Sequence, residues 1–564
     1  MPDQTNKIYA PLSQAMDSET ESNNANTLND CSIGSLSTLE ADDHHHLMMI
    51  SGKLGKRPMS PGRKLCFISS IVFLLGLVMI FLFVLPCPEG GKCRGFGESL
   101  NWVKDYDKLE MRGPVNVIRK EIDKNIETSL IFMYKGDKFI DALLKTNPRP
   151  HGIISIVSKT GKIAWFAEMG VEPRYVNCSI IDVDLDGETD CLIVDAFGQL
   201  STLKSVTGQW IWKTLETKSG RIPEQYEDLF NFPLLLPDLD DDKVNELLHI
   251  FSSGSDTQNS FSLLSGKTGK LIGNSIKVDE CMFIYKLELA ELYTIKYTCI
   301  NSTTVYTKQV GLYDLYKALT QSNIDLGHLN STNSLPQYRY DHEPKSKSNT
   351  TLQHFSLIIE NQGKCPENCN SSIQLFDNNA QLADESLIYN FSGSNMYTHF
   401  PEPLDFHKTS PRTYGFVFKY LQWSNNELNT NVVTLLQKIE DNAAARLNKS
   451  EVIKVRLLKE TVVLIVFTNS HDLMIENTSQ SHVMQFCRLS KTNDSSNNCQ
   501  PKINSLDNSL LISDLDNDGS KELLTFYTTF SVFNNNAHVL KTYVQLLNLE
   551  NEIPKLYGAR RRRK

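Results

Sequence analysis

One stretch decides the interpretation of this chain: IIDVDLDGETDCLIV, residues 180–194. It recurs as LLPDLDDDKVNELLHI at residues 235–250 and as LISDLDNDGSKELLTF at residues 511–526. Each copy contains an apolar run, a loop with a carboxylate at every second position, and another apolar run. Short apolar runs bounded by such loops are typical of strands, so each copy predicts a β-hairpin with an acidic loop.

The acidic loops have the donor set of a calcium site. Carboxylates at loop positions one, three, five and nine, with the backbone carbonyl of position seven, can direct their oxygens toward one hard cation. Because Ca²⁺ accepts six to eight oxygens at about 2.3–2.6 Å, these ligands and water suit it, whereas Mg²⁺ needs a tighter octahedron. The predicted ligands are Asp182, Asp184, Asp186, Glu188 and Asp190 in the first loop, Asp238, Asp240, Asp242 and Glu246 in the second, and Asp514, Asp516, Asp518, Ser520 and Glu522 in the third.

Position six distinguishes the three loops. It is Gly187 in the first loop and Gly519 in the third, where a sharp bend favours glycine, but it is Lys243 in the second. The second loop is therefore the weakest candidate. A helix–loop–helix site is excluded, because it needs a glutamate at position twelve, which none of the three loops has. The alternative for each loop is a solvated acidic turn.

A second pattern alternates with the acidic loops. Thr160-Gly161, Thr207-Gly208 and Thr268-Gly269 each separate two strand-like runs, and glycine supplies the positive φ that a tight hairpin needs. The resulting unit of roughly 50 to 60 residues is enough for a four-stranded propeller blade. We therefore predict an all-β fold, a β-propeller-like domain of seven or eight blades closed by its terminal strands. An array of β-sandwiches is the alternative.

An apolar segment precedes this domain. Residues 65–85 read LCFISSIVFLLGLVMIFLFVL and carry no charge. At about 1.5 Å per residue a helix of this length spans about 31 Å, which matches the hydrocarbon core of a bilayer. Basic residues crowd its N-terminal side, so we expect a cytoplasmic N-terminus and a single-pass type II membrane protein. The predicted regions are a disordered cytoplasmic tail (1–64), a signal-anchor transmembrane helix (65–86), a juxtamembrane stalk (87–100) and the propeller-like domain (101–564).

Cysteines and glycosylation sequons indicate an oxidising compartment for the domain after this segment. Ten cysteines form five close sequence pairs, for which disulfides are predicted and buried free thiols are the alternative. The pairs are Cys87 with Cys93, Cys178 with Cys191, Cys281 with Cys299, Cys365 with Cys369, and Cys487 with Cys499. Nine Asn-x-Ser/Thr sequons, all after the apolar segment, predict a glycoprotein at the cell surface or in an endomembrane. They begin at Asn177, Asn301, Asn330, Asn349, Asn370, Asn390, Asn448, Asn477 and Asn493.

The cassettes DVDLDGETD, PDLDDDKVNE and SDLDNDGSKE after a single membrane segment resemble the integrin-alpha FG-GAP repeat-containing membrane proteins of type II topology. This resemblance implies a propeller-like ectodomain with calcium loops on its hairpins and no established catalysis. The runs SKTGKIAW and SVTGQWIW are also similar to the blade hairpins of quinone-dependent dehydrogenases, which raises an enzyme as an alternative.

We predict a binding protein rather than an enzyme. The chain has no HExxH, G-x-S-x-G or phosphate-cradling glycine motif. Its net charge of −9 gives no overall signature for nucleic acid. The predicted function is binding of an unidentified extracellular or lumenal protein through propeller loops held rigid by Ca²⁺. A cargo or folding-factor role in the secretory pathway is the competing interpretation.

Overall fold

The computed structural model describes residues 69, 71–75, 101–122, 125–137, 150–214, 232–252, 259–278, 281, 283–290, 293–301, 304–323, 346–366, 368–379, 386–406, 413–424, 452–468, 473–489, 498–503, 508–532, 538–549 and 553. Their strands form seven antiparallel sheets, which we number as blades 1 to 7. The earliest strand, β1 (Trp102–Asp107), belongs to blade 7.

Blades 1 to 3 each contain four strands that pair in chain order. These strands are β2 (Leu109–Ile122), β3 (Asn125–Gly136), β4 (His151–Val157) and β5 (Ile163–Met169) in blade 1, β6 (Pro173–Ile181), β7 (Asp190–Asp195), β8 (Leu200–Leu203) and β9 (Trp210–Lys213) in blade 2, and β10 (Leu234–Leu235), β11 (Leu247–Ser252), β12 (Asn259–Leu264) and β13 (Ile276–Lys277) in blade 3.

The later blades are less regular. In blade 6 two short strands, β21 and β22, pair with different parts of β23, and a further strand extends the sheet. The remaining elements are β14 (Phe283–Ala290), β15 (Thr294–Ile300), β16 (Val305–Gly311) and helix α1 (Leu312–Thr320) in blade 4, β17 (Lys347–Leu352), β18 (Phe355–Lys364), β19 (Asn368–Asp377) and β20 (Leu387–Gly393) in blade 5, β21 (Met396–Thr398), β22 (Glu402–Phe406), β23 (Thr413–Trp423), β24 (Val452–Thr468), β25 (Leu473–Leu489) and β26 (Asn498–Gln500) in blade 6, and β27 (Leu510–Ser513), β28 (Glu522–Val532) and β29 (His538–Asn548) in blade 7.

Apolar side chains fill the spaces between neighbouring blades. Phe132 on β3 meets Phe526 on β28 edge to face, with 5.4 Å between ring centroids, in a buried cluster shared by blades 1 and 7. Similar clusters join blade 1 to blade 2, blade 2 to blade 3, and blade 6 to blade 7. The first strands of successive blades also touch, as β2 touches β6 and β10 touches β14. This packing is that of a propeller, which confirms the predicted fold class and rules out an array of sandwiches.

The ring is closed by strands from opposite ends of the domain, as predicted. Strand β1 pairs antiparallel with β29 and becomes the outermost strand of blade 7. The Lys541 amine lies 2.9 Å from a carboxylate oxygen of Asp105 and 3.0 Å from one of Asp107, so ion pairs reinforce the junction. Strand β1 also covers the edge of β29, which would otherwise be free to pair with another chain.

The Thr-Gly turns join neighbouring blades through tryptophan. Gly161, Gly208 and Gly269 all have positive φ, as predicted, in the turns after β4, β8 and β12. The ring of Trp165 on β5 lies so close to Gly208 that a Cβ there would be 2.4 Å from the indole. Trp102 lies against Gly161, and Trp212 against Gly269, in the same way. The glycines are therefore needed both for the turn and for contact with the preceding blade.

Four of the five predicted disulfides are present, and the fifth pair, Cys87 and Cys93, lies outside the described residues. The bridges are Cys178–Cys191, Cys281–Cys299, Cys365–Cys369 and Cys487–Cys499. The alternative of free thiols is therefore wrong for these eight cysteines.

Residues Ser13–Glu98 form a unit separate from the one that contains the propeller. The predicted tail and stalk lie outside the described residues. Of the predicted span 65–86, only residues 69 and 71–75 are described; they are helical, and the apolar side chains of 71–75 are exposed. Among the described residues, no helix has both the length and the apolar character needed to cross a membrane.

Candidate metal sites on the acidic hairpins

The three acidic loops occupy equivalent places in the propeller. Residues 182–190 connect β6 to β7, residues 238–246 connect β10 to β11, and residues 514–522 connect β27 to β28. Each is thus the hairpin between the first and second strands of its blade. Four antiparallel strands return the chain to the end of the ring at which each blade begins. The hairpins between first and second strands and the Thr-Gly turns between third and fourth strands therefore all lie at one end of the ring. A direct contact agrees: the Ser158 hydroxyl donates to the Leu515 carbonyl at 2.6 Å.

The loops also share one hydrogen-bond arrangement. The ninth residue accepts a hydrogen bond from the backbone N–H of the second: Val183 donates to Asp190 at 2.8 Å, and Leu515 donates to Glu522 at 2.7 Å. In the second loop Leu239 donates to Glu246 in the same way. In all three loops the first aspartate accepts from the N–H of position six, at 2.8–3.0 Å. The carboxylates therefore stabilise the bends that bring them together.

Lys243 does not prevent the second loop from adopting this conformation. Its φ is +73°, beside +91° for Gly187 and +84° for Gly519. Lysine at positive φ costs more than glycine, on the order of 1 kcal/mol, but its N–H makes the same bond to Asp238 as glycine makes elsewhere. The expectation that this loop is the weakest candidate is not supported by its geometry.

The second loop in fact gathers the largest set of carboxylates. Asp238, Asp240, Asp242 and Glu246 each place an oxygen within 4.8 Å of the others. The first and third loops each gather three of their four predicted carboxylates at this distance. These are Asp182, Asp184 and Asp190, and Asp514, Asp516 and Glu522. Such groups can coordinate one divalent cation without a large rearrangement.

The position-five aspartates of the first and third loops have other partners. Asp186 pairs with the Lys204 amine at 3.2 Å, and the same amine contacts Asp184. Asp518 accepts hydrogen bonds from the N–H and hydroxyl of Ser520. Glu188 and Ser520 do occupy position seven, and their N–H groups donate to the position-five carboxylates. Their roles as carbonyl ligands stay predictions.

Burial raises the pKa of the position-nine carboxyls. The pKa of Asp190 rises to about 6, that of Glu522 to about 7, and that of Glu246 to about 8. Desolvation is the largest cause in each case, and the neighbouring aspartates add repulsion. A divalent cation would reverse both effects by providing positive charge beside the buried oxygens.

Sequence reasoning missed the groups that surround the loops. Besides Lys204, the Lys267 amine donates to the carbonyl of Asp242 at 3.1 Å, and the Asn548 amide donates to Glu522 at 3.0 Å. Lys267 could have been found from the sequence, because it lies in the Thr-Gly turn of its own blade. Asn548 could not, because it lies on β29 and reaches the loop only through the pairing of β28 with β29.

Part of the chain is similar to one known protein family. Residues 141–360 match the family model of the FAM234A/B β-propeller. Protein FAM234A of Rattus norvegicus is 24% identical over 230 residues, which are 39% of this chain and 39% of that protein. Protein FAM234B of Gallus gallus is 22% identical over 217 residues, 38% of this chain and 33% of that protein. The similarity thus spans well under half the length of these curated relatives.

Among solved structures, BamB from Moraxella catarrhalis is similar over 77% of this chain and 85% of that chain, with 10% identity and a TM-score of 0.22. The propeller fold rests on the strand order of this chain itself. The matching family model is that of FAM234A/B, and the resemblance to FG-GAP repeat proteins stays a prediction.

Proposed function

We propose that this chain, part of which matches the FAM234A/B β-propeller, is a glycosylated type II membrane protein that binds a protein partner through a calcium-stabilised propeller. It acts at the cell surface or in the secretory pathway, as a binding protein rather than an enzyme. Its partner is an extracellular or lumenal protein. We also propose that the chain is related to the FG-GAP repeat-containing membrane proteins.

The main support for the calcium sites is the buried carboxylate of Glu246 at the end of the second acidic loop. The Glu246 side chain is 0% exposed, and its Oε1 makes no hydrogen bond. A buried, unpartnered carboxylate oxygen is costly, and three aspartate carboxylates beside it make that cost larger. A bound Ca²⁺ would give this oxygen a partner and offset the mutual repulsion.

Calcium would act here as a structural ion. The loops join the first and second strands of blades 2, 3 and 7, so a bound ion stiffens the hairpins at one end of the ring. Backbone bends already place the carboxylates within reach of one another, so little ordering is required on binding. Rigid hairpins then present a fixed surface to a partner, which lowers the entropic cost of association.

The membrane and lumenal parts of the proposal rest on the sequence, with support from the four disulfides. The uncharged segment 65–85 and its basic N-terminal flank favour a type II orientation. Disulfides persist in oxidising compartments, as expected for a domain on the far side of that membrane. Sensitivity of the glycans to endoglycosidase H would favour a resident of the early secretory pathway, and resistance would favour the cell surface.

The test compares two neighbouring aspartates. Asp240 belongs to the carboxylate group of the second loop, whereas Asp241 is exposed and lies outside it. Asp240→Asn and Asp241→Asn remove the same charge, so calorimetric titration of the full-length protein with CaCl₂ separates ligation from general attraction. We expect Asp240→Asn to weaken the second site roughly tenfold or more, with Asp241→Asn near wild type. Equal effects, or no heat at millimolar Ca²⁺ in the wild-type protein, would contradict the proposal.

A further inference from the structure

The nine sequons are distributed unevenly along the propeller-like domain. Asn177 is the only sequon asparagine before residue 300 in the propeller-like domain, and none lies after Asn493. The others fall in the part of the sequence that forms blades 4 to 6 or connects their strands. In the described part of the chain these are Asn301, Asn349, Asn370, Asn390 and Asn477. Blades 7, 1, 2 and 3, which carry the acidic loops and the Thr-Gly turns, contain a single sequon.

That single sequon is buried. The Asn177 side chain, on β6 of blade 2, is 5% exposed. Its Oδ1 accepts hydrogen bonds from the N–H and the hydroxyl of Ser179, both at 2.9 Å. The next residue, Cys178, is bonded to Cys191 on the neighbouring strand. A glycan on this amide would have to leave through packed protein, so it is incompatible with the folded blade.

Four of the later sequons have the opposite environment. Asn349 on β17, Asn370 on β19, Asn390 on β20 and Asn477 on β25 are all exposed. The Asn370 Oδ1 accepts a hydrogen bond from the Asn395 N–H at 3.3 Å, and this bond does not involve the amide nitrogen that would carry a glycan. A glycan at these four positions extends into solvent without disturbing a strand.

We infer that N-linked glycans are confined to blades 4 to 6, with Asn177 unmodified, so that blades 7, 1, 2 and 3 form a carbohydrate-free arc. This inference rests on the proposed lumenal placement of the domain. In the reaction, the asparagine amide nitrogen forms a bond to the anomeric carbon of a polyprenyl-diphosphate-linked oligosaccharide. The bond from that carbon to the diphosphate oxygen breaks, the lipid diphosphate leaves, and the amide gives up one proton to a base. No oxidant or reductant is needed.

The acidic loops and the Thr-Gly turns all belong to blades of this arc, and they lie at one end of the ring. Glycans are bulky and solvated, so they prevent close protein contact with the surface that they cover. Their absence from four consecutive blades leaves the hairpins of those blades accessible to a protein partner.

Glycopeptide mapping tests the inference on the unaltered protein. The full-length chain is expressed in animal cells and treated with peptide-N-glycosidase in ¹⁸O-labelled water, which marks each formerly glycosylated asparagine. We expect the label at Asn349, Asn370, Asn390 and Asn477 and none at Asn177. Label at Asn177 in protein purified from the secretory pathway would overturn the inference. Absence of label at all nine sequons would instead contradict the lumenal placement.

Two matched variants add a second measurement. Asn370→Gln should remove one glycan step in gel mobility and leave the melting temperature unchanged. Asn177→Gln should leave the mobility unchanged and lower the melting temperature, because the longer side chain displaces the bonds to Ser179. A mobility step lost in Asn177→Gln would overturn the inference, and the peptide map decides the case if that variant does not fold.

Discussion

Glu246 has the most strongly raised pKa of the three position-nine carboxyls, and this predicts how pH acts on the ion-free protein. Its pKa is about 8 in the fold, against an ordinary value of 4.5. Between these values the folded state holds a proton that the unfolded state releases. The ion-free protein therefore loses stability as pH rises through this window.

Thermal unfolding in a chelator from about pH 5 to about pH 8 measures this effect. We expect the melting temperature to fall with pH in the wild-type protein, and to fall less steeply in Glu246→Gln, where Asp190 and Glu522 still titrate. With saturating Ca²⁺ the melting temperature of the wild-type protein should depend less on pH, because the bound ion takes the place of the proton on Glu246. A profile in chelator that is level, or identical in the variant, would show that this carboxyl is not desolvated as the structure implies.

The Thr-Gly turns lead to a prediction about how a single hairpin contributes to the stability of the propeller. Gly208 combines a φ of +72° with an indole that occupies the space of a Cβ. Gly208→Ala should therefore destabilise the propeller by roughly 2 kcal/mol, from backbone strain and overpacking together. Chemical denaturation followed by tryptophan fluorescence measures the loss, and Trp165 itself reports the contact.

Two other glycines separate the causes of that loss. Gly187 has a φ of +91° in open space, so Gly187→Ala isolates backbone strain. Gly170 has neither a positive φ nor a neighbour within 4 Å, so Gly170→Ala should be close to neutral. The expected order of destabilisation is Gly208, then Gly187, then Gly170. Equal losses at Gly208 and Gly187 would mean that the tryptophan contact contributes nothing.

The sequence predicts those features that a few neighbouring residues determine. The acidic loops and Thr-Gly turns are local: spacing alone identifies Asp182 and Gly187 as parts of one bend. The conformation of Lys243 is not predictable in this way, because hydrogen bonds around the whole loop compensate its unfavourable φ. Blade 6 also has no repeat to recognise, since two short strands share β23 and its hairpin strands β24 and β25 run for 17 residues each.

At the scale of the whole molecule, the pairing of β1 with β29 differs from the other strand pairings among the described residues. All other blades are joined to their neighbours by the chain, whereas this sheet joins residues from opposite ends of the domain. Closing so long a loop has an entropic cost that the contacts of one six-residue strand must offset. Trp102 supplies much of this, since its ring lies on Gly161 and its Nε1 donates to the Ser158 carbonyl at 2.7 Å.

Trp102→Ala should therefore open the ring locally. We expect a loss of about 2 kcal/mol, below the 3–5 kcal/mol typical of a fully buried tryptophan because this ring is only half-buried. Amide hydrogen exchange should quicken in β29, where β1 protects one edge, before other blades respond. Trp165→Ala is the matched control, because it removes the same kind of contact between blades that the chain already joins. If both variants accelerate exchange in β29 equally, or neither does, then the terminal strand does not hold the ring closed.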